Sequence, residues 1–164
     1  MKVVFLDLDG VLVTEHYLLQ LENNRKSWRD EKGHALFCPR CLHNFEQLIR
    51  LTGANVVLSS TWRFFLADTV GVHEFFKKRG VQFNIYDVTP RLSSSSKKIS
   101  EQPTRGQEIQ AWLNAHPEVT QYCILDDDPR ILPAQQPYWV RTSFRYGFTK
   151  AKLAQAIKTL ANPV

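Results

Sequence analysis

Short apolar runs separated by longer amphipathic stretches set the rhythm of this chain. Val3 to Leu6, Val56 to Leu58 and Tyr122 to Leu125 are continuous, rich in β-branched or aromatic residues and bounded by polar ones, which predicts strands buried on both faces. Val81 to Val88 alternates and predicts another strand, and Tyr138 to Val140 a short one at an edge. Between these runs the apolar residues recur at helical spacing. Leu42, Phe45, Leu48 and Ile49 follow Pro39, which suits a first helical turn, and stop at Gly53. Val72, Phe75 and Phe76 form a second stripe running into the basic stretch Lys77 to Gly80, a C-terminus that the helix dipole favours. Thr104 caps a helix with Ile109, Trp112 and Leu113 inward, and Thr149 caps a last one with Leu153, Ile157 and Leu160 inward. Strands alternating with helices predict a doubly wound, Rossmann-like α/β fold: a parallel sheet of about five strands, flanked by helices and joined by right-handed crossovers. There is no internal repeat.

Two stretches break the rhythm. From residue 13 to 37 the sequence is polar, passing through Asn23 to Lys26 and Arg29 to Gly33, and predicts a small insertion, cap or loop, overhanging the end of the first strand. From Thr89 to Thr104 it contains Ser93 to Ser96 and then Lys97 and Lys98, the composition of a mobile loop.

The 164 residues suit a single domain over 1–164 with one sizeable core, and ten Phe, five Tyr and four Trp exclude disorder as its main state. Net charge is +5, but the first sixty residues are balanced at seven basic and seven acidic, and after residue 120 there are six basic to three acidic. That excess suits an anionic, phosphorylated or polynucleotide partner. Three cysteines, Cys38, Cys41 and Cys123, make no even framework, and the N-terminus lacks an apolar targeting segment, so a reducing cytoplasm is expected. No apolar run reaches the roughly 20 residues that span a bilayer, and nothing in the sequence specifies a partner protein.

The chemistry collects where strands end. Asp7 and Asp9 follow the first strand at a spacing that puts both carboxylates on one side, and Gly10 then lets the chain turn away. Ser59 and Ser60 follow the second strand, and Asp126, Asp127 and Asp128 the fourth. In a parallel sheet these ends share the edge where ligands bind. Carboxylates gathered there repel each other unless a cation or a proton is present, and a hard divalent cation takes carboxylates, waters and substrate phosphate as ligands. A serine hydroxyl would hold a phosphate oxygen, and Arg105, Lys97 or Lys98 would supply fixed positive charge. The plainer alternative for Asp7 to Gly10 is a surface turn after a buried strand.

The blocks 3–12, 56–63, 104–113 and 122–130, in this order, resemble the haloacid dehalogenase (HAD) superfamily of phosphohydrolases. Val57 to Arg63 (Val-Leu-Ser-Ser-Thr-Trp-Arg) and Arg105 to Leu113 (Arg-Gly-Gln-Glu-Ile-Gln-Ala-Trp-Leu) are similar to the small HAD domains of Swiss Army Knife RNA repair proteins. The resemblance implies strand order 5-4-1-2-3 and an Mg²⁺-dependent phosphatase. Asp7 would attack phosphorus and become an aspartyl-phosphate, and Asp9 would serve as acid and base. Mg²⁺ would be held by Asp7, the Leu8 carbonyl, Asp126 and Asp127, with Asp9 counted in the same set. Ser59, or Ser60, would bind the phosphoryl group, with Thr61 and Arg63 beside it toward substrate. Arg105 stands where the family more often has Lys. A small insertion leaves the edge open to a large substrate end, such as the terminal phosphate of single-stranded or nicked nucleic acid. A small phosphoester, a phosphoprotein and a non-catalytic metal- or phosphate-binding module are the alternatives, and Asp9 argues against dehalogenation.

Four other features have two readings each. Cys38 and Cys41, flanked by His34 and His43, suggest zinc, yet they fall at a helix start where two of the four face differently, so packing of the thiols is expected. Cys123 belongs to a buried strand. Trp62 either stacks on a base or packs the second predicted helix, while Arg63 either meets a phosphate or pairs with Asp126 or Asp127. Arg141, Arg145, Lys150 and Lys152, interleaved with Phe144, Tyr146 and Phe148, form either a polyanion surface or a solvated basic face.

Overall fold

The computed structural model describes residues 1–66, 69–95, 98 and 102–162, with the backbone alone at position 69. Five strands form one sheet in the order β3-β2-β1-β4-β5: β1 (Lys2–Leu6), β2 (Asn55–Leu58), β3 (Ile85–Val88), β4 (Gln121–Asp126) and β5 (Trp139–Arg141). Every pairing is parallel, and β1 lies at the centre, Phe5 opposite Val57 on one side and Ile124 on the other. This is the predicted order.

Alternation along β1 divides the interior into two cores. Val4 and Leu6 face a layer made by α2 (Pro39–Thr52), α3 (Thr69–Lys78) and α5 (Lys150–Thr159), where Phe45, Leu48, Phe76, Leu153 and Leu160 are buried. Val3 and Phe5 face α4 (Arg105–Ala115) on the other side, with Phe5 edge-on to Trp112 at 5.4 Å and to Tyr122 at 5.9 Å. Burying a side chain of that size contributes about 1.5–3 kcal/mol. Both caps are as expected: Thr104 and Gln107 form a reciprocal capping box on α4, and Thr149 accepts from Lys152 N on α5. Gly53 ends α2 in the left-handed conformation.

Three elements differ from expectation. The insertion holds a helix, α1 (Glu15–Asn23), capped by Thr14 and followed by a bridge between Arg29 and Ala35. Its sequence hides it because Leu21 alone is buried and Leu19 is exposed. β3 begins at Ile85 rather than Val81: Ile85 is its first residue paired with β2, opposite Val56, and the register shifts once within the strand, between Val56 and Val57. Phe148, expected on a basic surface, is wholly buried in the core with Phe45. Of the stretch predicted as a mobile loop, residues 96, 97 and 99–101, including Lys97, lie outside the described residues. Among the described residues no helix is long and apolar enough to cross a membrane.

Candidate active site

The loop after β1 is wound tightly enough to aim its acids. Asp7 N donates to Leu125 O at 3.0 Å, tying the end of β1 to β4. The Leu8 carbonyl then accepts from the amides of Val11, Leu12 and Val13 at 3.2, 2.9 and 2.8 Å, and Gly10 N donates to Val13 O. This corrects one expectation: the Leu8 oxygen is occupied by the turn and is not presented to a metal. Gly10 has φ +72°, and a Cβ there would lie 2.4 Å from Asp127 Cγ. A bare glycine thus lets the carboxylate from the end of β4 close onto the loop from β1.

Asp7, Asp126 and Asp127 each offer an oxygen within 4.8 Å of the others, two of them buried and the third partly so. Burial, and then the Asp7 carboxylate beside it, push Asp126 up to about 8. Asp127 is raised by burial and then by Asp7. Burial leads both shifts and neighbouring negative charge adds to them, and a hard divalent cation such as Mg²⁺ fits this set of carboxylate oxygens. The fixed positive charge here is Arg105, whose Nε donates to Asp126 Oδ2 at 2.9 Å while Nη2 stands 3.6 Å from Asp7 Oδ1. Nη1 is buried without a hydrogen-bond partner among the described residues, 3.9 Å from Glu108 Oε2. Arg105 is seated because Gly106 packs where a Cβ would stand 2.5 Å from Leu132 N, with Gln135 Nε2 donating to Gly106 O. Of its sequence competitors, Lys98 is exposed and Lys97 is not described.

At the end of β2 the two serines part company. Ser59 is fully buried and its Oγ finds no hydrogen-bond partner among the described residues. Ser60 Oγ instead accepts from Trp62 N and caps a short 3-10 turn over Thr61–Phe64, with Thr61 exposed at its start. Arg63, expected to face substrate or pair with Asp126 or Asp127, does neither. It is buried, and it donates to the carbonyls of Ser59, Ser60 and Thr89 and to Glu108 Oε2 at 2.6 Å. Those bonds and Pro90 O take up its donors, so it holds the strand ends in place rather than binding a phosphate.

Asp9 is half-buried, and Trp62 donates its indole N–H to Asp9 Oδ2 at 2.8 Å. Burial raises the Asp9 carboxyl most, the Trp62 bond opposes this, and Asp7 adds to the rise. The indole packs against His34 at 5.7 Å and Phe75 at 5.8 Å, so the packing expectation for Trp62 holds but omits its contact with an acid. Glu108 was also missed. Its one signal is its place one turn after Arg105 on the buried face of α4. Cys38 and Cys41 pack in the core, Cys41 Sγ donating to Tyr146 O at 3.4 Å, and His34 faces Trp62 rather than the thiols. Among the described residues the aspartates are the one group fit to hold a metal.

Beside this site β5 brings Arg141 opposite Asp126, and the chain beyond it exposes Phe144, Arg145 and Tyr146, with the Arg145 guanidinium 5.2 Å from the Tyr146 ring centre. A search of curated proteins finds no match. Residues 3–153 match the family model described as the HAD domain in Swiss Army Knife RNA repair proteins, a span that takes in the five strands but for Lys2 and every acid, serine and arginine of the site. By that match and by the parallel sheet that carries the site, the chain belongs to the HAD domains of Swiss Army Knife RNA repair proteins.

Proposed function

We propose that this chain is an Mg²⁺-dependent phosphomonoesterase that works through an aspartyl-phosphate on Asp7 and removes a terminal phosphate from nucleic acid. The observation that carries the reading is the meeting of Asp7, Asp126 and Asp127 within 4.8 Å at one sheet edge, with Arg105 against two of them. Asp7, Asp126 and Asp127 would hold Mg²⁺, with Asp9 beside them, and the ion would supply charge neutralisation on the phosphoryl oxygens. Arg105 presents Nη1 and Nη2 to the same oxygens while Nε stays on Asp126, and the Ser59 hydroxyl, unpartnered among the described residues, is the better phosphoryl donor of the two serines. Asp7 attacks phosphorus, a new P–O bond forms, and the ester bond breaks as Asp9 gives its proton to the leaving oxygen. Asp9 then takes a proton from water as that water displaces Asp7 from phosphorus. Such a division suits phosphate-monoester hydrolysis, where catalysis reaches accelerations of ~10²¹-fold.

The nucleic-acid half of the reading rests on the family's RNA-repair description and on exposed Arg141, Phe144, Arg145 and Tyr146 along the same edge. It is tested by comparing phosphate release from oligonucleotides phosphorylated at the 3′ or 5′ end with release from a sugar phosphate and a phosphopeptide. Preference for one oligonucleotide end, weakening steeply as salt rises, is expected. Equal rates on the small ester, insensitive to salt, would remove the nucleic acid and keep the phosphatase. Cytoplasmic residence belongs with this reading, supported by three unpaired cysteines.

A further inference from the structure

Among the described residues Asp9 has one side-chain hydrogen bond; it is half-buried, on a loop, and within reach of the charges of Asp7 and Asp127, two of the carboxylates that would share a cation. A free carboxylate in that place has two ways to go, toward the leaving group or into the metal's coordination sphere, since its oxygens are as hard as those of its neighbours. The indole of Trp62 acts on this choice. Its single N–H reaches Asp9 Oδ2 at 2.8 Å, which spends that oxygen and leaves Oδ1 for the proton. The ring is itself fixed from two sides, by His34 of the insertion and by Phe75 of α3, and Phe75 sits within 6.0 Å of Phe37 and 5.3 Å of Phe76. Arg79 lies over Phe75 at 4.3 Å and binds Asp30 of the insertion at 2.7 Å. The insertion and α3 are therefore clamped around the residue that orients Asp9.

We propose that Trp62 is a positioning residue that holds Asp9 in the geometry for proton transfer to the leaving oxygen, an inference that rests on the phosphatase reading above. Trp62 touches no reacting atom. It acts through Asp9, keeping the carboxyl in one of its staggered rotamers and out of the cluster formed by Asp7, Asp126 and Asp127. The aromatic platform transmits the placement of the insertion to this one hydrogen bond.

The test is the dependence of kcat/KM on leaving-group acidity, measured with phosphomonoesters running from dinitrophenyl phosphate to an alkyl phosphate. This ratio reports steps through transfer to Asp7, where the leaving group must be protonated. Trp62→Phe keeps a ring against His34 and Phe75 and removes the N–H. It should lose roughly tenfold or more on the alkyl ester, part of the 10²–10⁴ that general acid catalysis supplies, and stay within about threefold of the parent on the dinitrophenyl ester. In an Asp9→Asn background, Trp62→Phe should cost nothing further on the less activated esters where it is costly alone, because the residue it serves is gone. If Trp62→Phe does not fold, Trp62→Leu, an apolar side chain with no donor, takes its place in the same series. A fall by the same factor across all esters, no fall at all, or full additivity with Asp9→Asn would overturn the role of Trp62 while leaving an active parent enzyme as support for the phosphatase. A parent that releases no phosphate in an Mg²⁺- and Asp7-dependent way would overturn the phosphatase reading and this inference with it.

Discussion

Arg105 Nε donates to Asp126 Oδ2 at 2.9 Å, and both residues are buried. A charge this far from water is tolerated when it is paired, and removing one partner leaves the other uncompensated. Arg105→Ala is therefore expected to destabilise the metal-free protein by about 3 kcal/mol and to lower kcat/KM by at least ~100-fold. Arg105→Lys should fall between, because an ammonium keeps the charge but cannot bond Asp126 through Nε while presenting a second face to phosphate. Urea melts with and without Mg²⁺ read the first effect and steady-state rates the second. Equal activity in all three would move the cationic role to Lys97 or Lys98.

Gly10→Ala brings a methyl to within 2.4 Å of Asp127 Cγ at a residue with φ +72°. Left-handed backbone costs a residue with Cβ about 1–2 kcal/mol, and Asp127 must also give way. The variant should fold with a modest loss of stability and bind Mg²⁺ at least tenfold more weakly, which titration calorimetry checks. Unchanged metal affinity would show that Asp127 is not needed for it.

Arg63 and Glu108 predict stability rather than activity. Their side chains are 3% and 11% exposed and 2.6 Å apart. Glu108→Ala strands a buried guanidinium and should cost about 3–5 kcal/mol in denaturant melts. KM of the protein that remains folded should change little, in contrast to Arg105→Ala.

The insertion should loosen in acid. Asp30 is raised by burial, but backbone amides of His34 and Lys32 and the Arg79 guanidinium outweigh this and leave its carboxyl below the usual value. A folded-state pKa below the unfolded one adds stability that is present above the unfolded pKa and lost as pH falls through the folded one. Protease cleavage within 24–35 should therefore accelerate below the ordinary carboxylate range in the parent. In Asp30→Asn it should be fast and flat with pH. Identical profiles would dismiss the role of Asp30.

Much of this was legible before any coordinates, because buried parallel strands announce themselves as unbroken apolar runs and their polar ends must share one edge. Asp7, Ser59 and Asp126 are each the first polar residue after such a run or its last member, and Thr104 and Thr149 were readable as caps. What was not legible depends on pairs distant in sequence. The bonds from Arg63 to Glu108 and from Trp62 to Asp9 join residues 45 and 53 apart, on different elements, and no local pattern announces them. α1 was hidden because it buries a single leucine. The Leu8 carbonyl was misjudged because the three amides that occupy it belong to a turn whose course only Gly10 hints at.

The most direct measurement is phosphate release from a generic aryl phosphate with Mg²⁺ or with EDTA, parent beside Asp7→Asn. Release that requires the metal and disappears in Asp7→Asn, with the variant melting like the parent, is the predicted result. Release that survives either EDTA or the loss of Asp7 would contradict the assignment of the nucleophile and its cation.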